Sequence, residues 1–234
     1  MKPTHIKIED NIIPGEMRQT VDNDLIEQMC FRVADQTCMI YYKDGHSVSV
    51  KIIFFGFYNY NYGMPPSKDG KYIYVGHWDW WDGLVAHHVP SGEVAWRLKK
   101  GGNREIYVFD EFLIVRAEDK GLRKVDAKTG KLLQEMKGSF HSSFLLDNRQ
   151  IIAFRDGTGR ATVFDVEDGS IIKVYPSKEV NPNNCLTFWV ESARLEKNVL
   201  IIGGREMHPK GRIDEQQKWI PFERIIDAAF SAVD

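Results

Sequence analysis

The sequence predicts an all-β chain, built as a small β-propeller-like array of about three to five four-stranded antiparallel units with a short helix near each end. Three observations point there. Turn glycines recur at Gly92, Gly130 and Gly169, 38 and 39 residues apart. Each is preceded by a second turn glycine, at Gly83, Gly121 and Gly159. Each pair is led by a short β-branched or aromatic run, YIYV at 72–75, FLIV at 112–115 and IIAF at 151–154, as buried strands require. A fixed period near forty residues is the size of a four-stranded propeller blade.

Taken in chain order, residues 20–35 (TVDNDLIEQMCFRVAD) read as a helix. Asp22 or Asn23 stands where a cap belongs, and Leu25, Met29 and Val33 share one face. Residues 37–57 read as a hairpin turning at Lys43-Asp44-Gly45-His46, with Val48, Val50 and Ile52 alternating inward. The segment 58–70 carries Tyr58, Tyr60, Tyr62 and two prolines in irregular order and reads as a long loop. Three repeats follow over about 70–177. REIYVF and HSSFLL supply a further strand before FLIV and IIAF. Glycine tolerates a positive φ, and the neighbouring Pro, Asp, Ser and Thr suit tight hairpins. NNCLTFWVE and NVLIIGGRE then read as two strands turning around Ala193–Lys197, with Gly203 and Gly204 marking a bulge or strand-end turn. Residues 221–234 (PFERIIDAAFSAVD) read as a second helix, with Pro221 in its first turn and Ile225, Ile226, Ala229, Phe230 and Val233 as its apolar stripe. The organisation expected is an N-terminal segment over 1–36, a repeat domain over 37–220 and a C-terminal helix over 221–234, forming one compact domain.

The stretch KVDAKTGKLLQEM resembles the blade of the pyrroloquinoline-quinone-type β-propellers, which carry an Ala-x-Asp-x-x-Thr-Gly-x-x-x-Trp signature. Asp126, Thr129 and Gly130 match it in the second repeat. Ala86, Gly92 and Trp96 match in the first, with His88 and Ser91 replacing the aspartate and threonine. Asp165 and Gly169 match in the third, where a tyrosine replaces the tryptophan. The resemblance implies that Trp96 packs between neighbouring blades. It implies no quinone cofactor, because the chain has no adjacent cysteine pair and is about half the length such enzymes need. The expected cofactor is none.

Composition narrows the partners. The chain is 43% apolar and 27% charged, with a net charge of −2, so it carries no electrostatic footprint for nucleic acid or an anionic membrane. No apolar run approaches the ~20 residues that cross a bilayer, and the first seventeen residues lack the apolar centre of an export signal. Cys30, Cys38 and Cys185 form no C-x-x-C pair, which fits a reducing cytoplasm. There is no H-E-x-x-H, no G-x-S-x-G and no phosphate-binding glycine loop. His87 and His88 face opposite sides of one strand, whereas His77 and His87 are candidates to meet across the hairpin. A two-histidine metal site would still lack a third ligand.

The concentrated chemistry is aromatic and acidic. Residues 76–83 read GHWDWWDG and hold Trp78, Trp80 and Trp81, half of the six tryptophans, with Asp79 and Asp82. Aligned on the turn glycines, this stretch corresponds to AEDKG with Glu118 and Asp119, and to RDGTG with Arg155 and Asp156. These residues, with Tyr60 and Tyr62 from the preceding loop, are the candidate binding face. Trp and Tyr favour binding hot spots because they bury large area and still offer a hydrogen bond. The expectation is a non-enzymatic binding protein with a protein partner, one concrete version being an immunity or antitoxin-like inhibitor. Two alternatives stand beside it. One is a carbohydrate-active enzyme or lectin stacking sugars on the tryptophans beside Asp79, Asp82 or Asp119. The other is a structural module that completes a ring as a homodimer.

Overall fold

The computed structural model describes residues 3–8, 16–52, 64–76, 83–99, 103–117, 121–155, 159–185, 187–197, 199–207 and 219–227. Among them the regular structure is strand throughout, apart from one four-residue helix. The chain divides into two compact units, Met1–Glu135 and Met136–Asp234.

The first unit opens with a five-stranded antiparallel sheet in chain order: β1 (His5–Ile8), β2 (Glu16–Asp22), β3 (Ile26–Arg32), β4 (Thr37–Tyr42) and β5 (Ser47–Lys51). The helix expected over 20–35 is therefore two strands and a turn. Asn23 explains the error. Its Oδ1 accepts from the N–H groups of Leu25 (2.8 Å) and Ile26 (3.1 Å). Those i+2 and i+3 bonds are the ones a helix cap makes, and here they close an Asx turn. Its Nδ2 donates to the carbonyls of Ser67 and Lys68, tying the turn to the next sheet. Met29 and Phe31 point into a core with Met17, Val21, Ile40, Val50 and Ile52, while Leu25 of the expected helical face is exposed. The β4–β5 hairpin turns at 43–46 as read, with Gly45 at φ 90.

The second sheet holds β6 (Tyr72–Gly76), β7 (Leu84–His88) and β8 (Val94–Leu98), and a bridge from Pro66 to Ile73 marks a further strand position. The third is a four-stranded meander of β9 (Asn103–Val108), β10 (Phe112–Ala117), β11 (Gly121–Asp126) and β12 (Leu132–Met136). In the second unit β13 (Phe140–Leu145), β14 (Gln150–Arg155), β15 (Ala161–Asp165) and β16 (Ile171–Tyr175) form another. After α1 (Ser177–Val180) the last sheet comprises β17 (Thr187–Glu196), β18 (Val199–Met207) and β19 (Ile220–Asp227). Successive antiparallel meanders of this kind make a small β-propeller-like arrangement.

The repeat holds at atomic detail. The residue before each tight turn, His88, Asp126 or Asp165, accepts at its carbonyl from the N–H of Gly92, Gly130 or Gly169, at 2.8, 3.0 and 2.9 Å. Its own N–H donates to Glu93, Lys131 or Ser170, at 2.8, 2.9 and 2.9 Å. All three glycines are left-handed, at φ 71, 70 and 66, which a side chain would resist. Aspartate recurs before the turn because its carboxylate accepts the turn's N–H groups: Asp126 takes Lys128 and Thr129, and Asp165 takes Glu167. The Thr129 hydroxyl adds a bond, and this holds the Asp126 carboxyl below its ordinary value.

Trp96 sits where the blade resemblance puts it. Its Nε1–H donates to the Ala127 carbonyl at 3.1 Å, and its ring lies 5.9 Å from that of Tyr74, whose hydroxyl donates to the same carbonyl. It joins the second sheet to the third and is half-buried.

Two further corrections concern the second unit. The turn placed around Ala193–Lys197 comes later, because β17 runs to Glu196. The expected C-terminal helix is β19 over 220–227, with Ile225 exposed and its neighbour Ile226 buried, the alternation of a strand. Residues 228–234 lie outside the described residues. Gly203 and Gly204 do mark a bulge, lying opposite the register shift between Val190 and Ser192. A Cβ on Gly204 would stand 2.0 Å from the Trp189 carbonyl oxygen.

Candidate protein interface

Of the residues assigned to the aromatic–acidic face, Trp78, Asp79, Trp80, Trp81, Asp82, Tyr60, Tyr62, Glu118, Asp119 and Asp156 lie outside the described residues. Their strand ends are described. The segments 77–82, 118–120 and 156–158 leave β6, β10 and β14 and re-enter at Gly83, Gly121 and Gly159, with φ 57, 80 and 68. The described strand ends and the left-handed glycines that flank them are equivalent in the three repeats, while the connections themselves lie outside the described residues. Arg155 is exposed at the end of β14, and its N–H donates to the Arg160 carbonyl. His87 faces Ile73 across the ladder, and Gly76 faces Leu84, so the strand pairing does not set His87 opposite His77, which lies outside the described residues. A cleft of about 490 Å³ in the first unit is lined by Asp35, Gln36, Lys51, His87 and Val94. No set of three metal-ligating side chains gathers among the described residues.

The described surface with concentrated apolar exposure belongs to the last sheet. Alternation divides β17–β19 on either side of the bulge at Glu191, with Ile201 buried on the outward face beneath its neighbours. Phe188, Val190, Leu200, Ile202 and Ile226 turn inward onto Ile152, Phe154, Val163 and Tyr175. The opposite face carries rows set by register: Trp189 beside Arg205 and Pro221, then Ser192 beside Gly203 and Glu223, then Arg194 beside Ile201 and Ile225. Trp219 stands just before β19, and the Arg205 guanidinium lies 5.5 Å from its ring centre. Trp189 is 36% exposed, Trp219 38% and Ile225 72%. Charged pairs surround them. Arg205 meets Glu191 at 2.6 Å, and Arg194 meets Glu196 at 2.7 Å and Glu223 at 3.7 Å. The Glu196 bond, with Glu223 beyond it, raises the Arg194 pKa above its ordinary value. Exposed aromatic and aliphatic side chains with a charged rim are the composition of an interface.

A buried network holds this sheet rigid from behind. Arg224 donates to Glu206 and to the Val180 carbonyl, while stacking on Phe222 and Phe188. Asn183 donates to the other Glu206 oxygen at 2.8 Å, and Asn181 clamps Cys185 through both its N–H and its carbonyl. Burial, then the Glu206 carboxylate, push the Cys185 thiol up, which leaves it a neutral packing group rather than a nucleophile.

Sequence reasoning placed TFWVE in a strand without singling out Trp189. Three consecutive apolar residues hide which one faces out. The signal was the alternation itself: with Phe188 and Val190 inward, Trp189 must face outward.

No protein-family model matches the sequence, and no curated protein matches it. Solved structures do. The chain is similar to hydrazine synthase of Kuenenia stuttgartiensis, with a TM-score of 0.56 and 10% identity over 85% of this chain and 59% of that one. It is also similar to BamB from Moraxella catarrhalis, with a TM-score of 0.48 and 11% identity over 85% and 58% of the two chains. A Bacteroides caccae protein of unknown function aligns over 97% of this chain and 91% of its own, with a TM-score of 0.46 and 15% identity. The chain thus spans about three fifths of the hydrazine synthase chain, and that likeness supports a β-propeller-type fold.

Proposed function

We propose that the chain is a non-enzymatic protein-binding scaffold, docking its partner on the outward face of β17–β19. One observation carries this reading: Trp189, Trp219 and Ile225 stand exposed on a sheet whose other face already fills the core. A strand does not need apolar side chains on both faces to fold, and such side chains in a charged rim suit hot spots. The tryptophan-rich connection at Trp78, Trp80 and Trp81 is proposed as a second contact. An immunity or antitoxin-like inhibitor is a specific form of this reading. The carbohydrate alternative depends on Asp79, Asp82 and Asp119, which lie outside the described residues, so no observation favours it over a protein partner. The blades themselves we read as divergent quinoprotein-type units, from the Trp96 contact with the Ala127–Gly130 turn. Free, buried Cys30, Cys38 and Cys185 support a cytoplasmic setting.

The test is a photo-cross-linking residue placed at Glu223, and separately at Trp80, in the intact chain expressed in its native cells. The captured protein is identified, purified and titrated against the wild type and against Trp189→Ala and Trp219→Ala. Each truncation should weaken binding by about 2 kcal/mol or more. Trp219→Ala should leave the thermal midpoint nearly unchanged, whereas Trp189→Ala also loses its ring contact with His141 and should lower it. Undiminished affinity in both variants would sink the reading.

A further inference from the structure

Among the described residues the last sheet has three strands, against four in each of the two meanders before it. Among the described residues no strand pairs with the far edge of β19, which is eight residues long. Such an edge is a row of backbone donors and acceptors awaiting a partner. Pro221 sets the parity of that row. Proline has no N–H and is carried in a strand where its nitrogen turns away from the ladder. In an antiparallel strand, residues of like parity turn their N–H and carbonyl the same way. Glu223 and Ile225 therefore offer both groups outward, at the row where Ile225 is most exposed.

Resting on the reading that this face binds a protein, we propose that the partner adds an extended segment to β19 as a fourth strand of the sheet. Register states its chemistry. The position opposite Glu223 suits a lysine or arginine, since Arg194 reaches Glu223 only at 3.7 Å and the other cation on this face, Arg205, pairs with Glu191 at 2.6 Å. The positions two residues to either side meet Pro221 and Ile225 and suit apolar side chains. The occupant is an apolar–basic–apolar segment with alternate residues between.

A second copy of the chain fits poorly, and the sequence of β19 says why. Directly opposed residues share a face, so a two-fold antiparallel pairing must centre on one residue. Centred on Glu223 or on Arg224, it sets like charges against each other. Centred on Ile225, it sets Glu223 against Asp227. Centred on Phe222, its outward bonds fall on Pro221, which has no N–H to give. Every centre that pairs five or more residues within Ile220–Asp227 is penalised in one of these ways.

The experiment selects a displayed library of random nine-residue peptides against the intact chain, with Ile225→Pro as the counter-target. That variant removes an outward N–H and no ladder bond; its fold is checked by circular dichroism, with Ile225→Thr as a second variant that keeps the N–H. Enriched peptides should carry a basic residue flanked at two residues' distance by apolar ones. They should slow exchange of the Glu223 and Ile225 amides at least tenfold. N-methylating alternate peptide amides should abolish binding in one parity and spare it in the other. Peptides that bind equally in both N-methylated parities, leave those amides unprotected, yet lose affinity in Trp189→Ala, would overturn strand addition while sparing the binding face. A selection yielding nothing above the counter-target overturns it as well. A concentration-dependent dimer that Ile225→Pro dissolves would overturn it in favour of self-pairing.

Discussion

Gly92 and Gly130 offer a matched experiment inside one protein. They occupy equivalent turns, with the same two backbone hydrogen bonds and φ of 71 and 70. Alanine at either pays the same left-handed penalty, about 1–2 kcal/mol. What differs is the surroundings. Nothing lies within 4 Å of a Cβ on Gly92, whereas one on Gly130 would stand 2.5 Å from Cε3 and 2.6 Å from Cδ2 of Trp96. That ring is pinned by its N–H bond to the Ala127 carbonyl and by Tyr74 beside it. Displacing it adds an overpacking cost of about 1–3 kcal/mol. Gly92→Ala should therefore cost about 1–2 kcal/mol and Gly130→Ala about 2–5 kcal/mol.

Urea denaturation followed by circular dichroism measures both, and a double-mutant cycle isolates the ring. Trp96→Ala alone should cost about 2–4 kcal/mol, below the range for a fully buried tryptophan because this one is half-buried. In Gly130→Ala/Trp96→Ala the clash is gone, so the double variant should be more stable than the sum of the singles by about 1–3 kcal/mol. If Gly130→Ala and Gly92→Ala agree within about 0.5 kcal/mol, or the cycle is additive, Trp96 does not bear on the Gly130 turn and the inter-sheet anchor is wrong.

Two other outcomes follow from buried polar groups. Arg224→Ala removes the guanidinium paired with Glu206, 3% exposed, and should lower stability by about 3–5 kcal/mol in the same assay, while Arg194→Ala on the solvent face should change it by under about 1 kcal/mol. Alkaline pH should also destabilise the fold: burial, then the neighbouring Cys30, push the Cys38 thiol up from its ordinary 9.0, and burial, then Asp69, push the Tyr74 phenol up from 10.0. The unfolded chain releases these protons first, so the urea midpoint should hold to about pH 9 and fall above it, less steeply in Cys38→Val; a midpoint flat to pH 10.5 would contradict both burials.

How much of this was legible in the sequence depended on whether a residue's chemistry admits one structure or two. The blade turns were legible because a left-handed residue flanked by Asp or Ser has few other uses, and three of them kept one spacing. Asn23 was not, because its i+2 and i+3 bonds serve an Asx turn and a helix cap alike. Pro221 was not, because a first helical turn and an open strand edge both tolerate a missing N–H. Ile225 and Ile226 could belong to a helical stripe or to opposite faces of a strand, and only the pairing with Ile201 and Leu200 decides between them.

The interface escaped for a related reason that bears on where to look in chains of this kind. A hydrophobic pattern reports which residues could be buried, and it is silent on which sheet face has no neighbour. Trp189, Trp219 and Ile225 look like core residues in the sequence, as most residues of these types are. They are surface residues because the inward set, Phe188, Val190, Leu200, Ile202 and Ile226, already satisfies the packing of β17–β19. Arg224 and Glu206, behind the sheet, then fix its position without using any of the outward residues. Of the outward apolar side chains, Trp189 lies against the His141 ring, centroids 5.4 Å apart, while Ile225 at 72% exposure adds little to the packing, and among the described residues the far edge of β19 is unpaired. Two independent surpluses, one of side chains and one of backbone bonds, converge on Ile225. A partner that adds a strand there would satisfy both, whereas a partner lying flat on the face would satisfy only the first. That difference is why the Glu223 and Ile225 amides, rather than binding alone, are the measurement that discriminates.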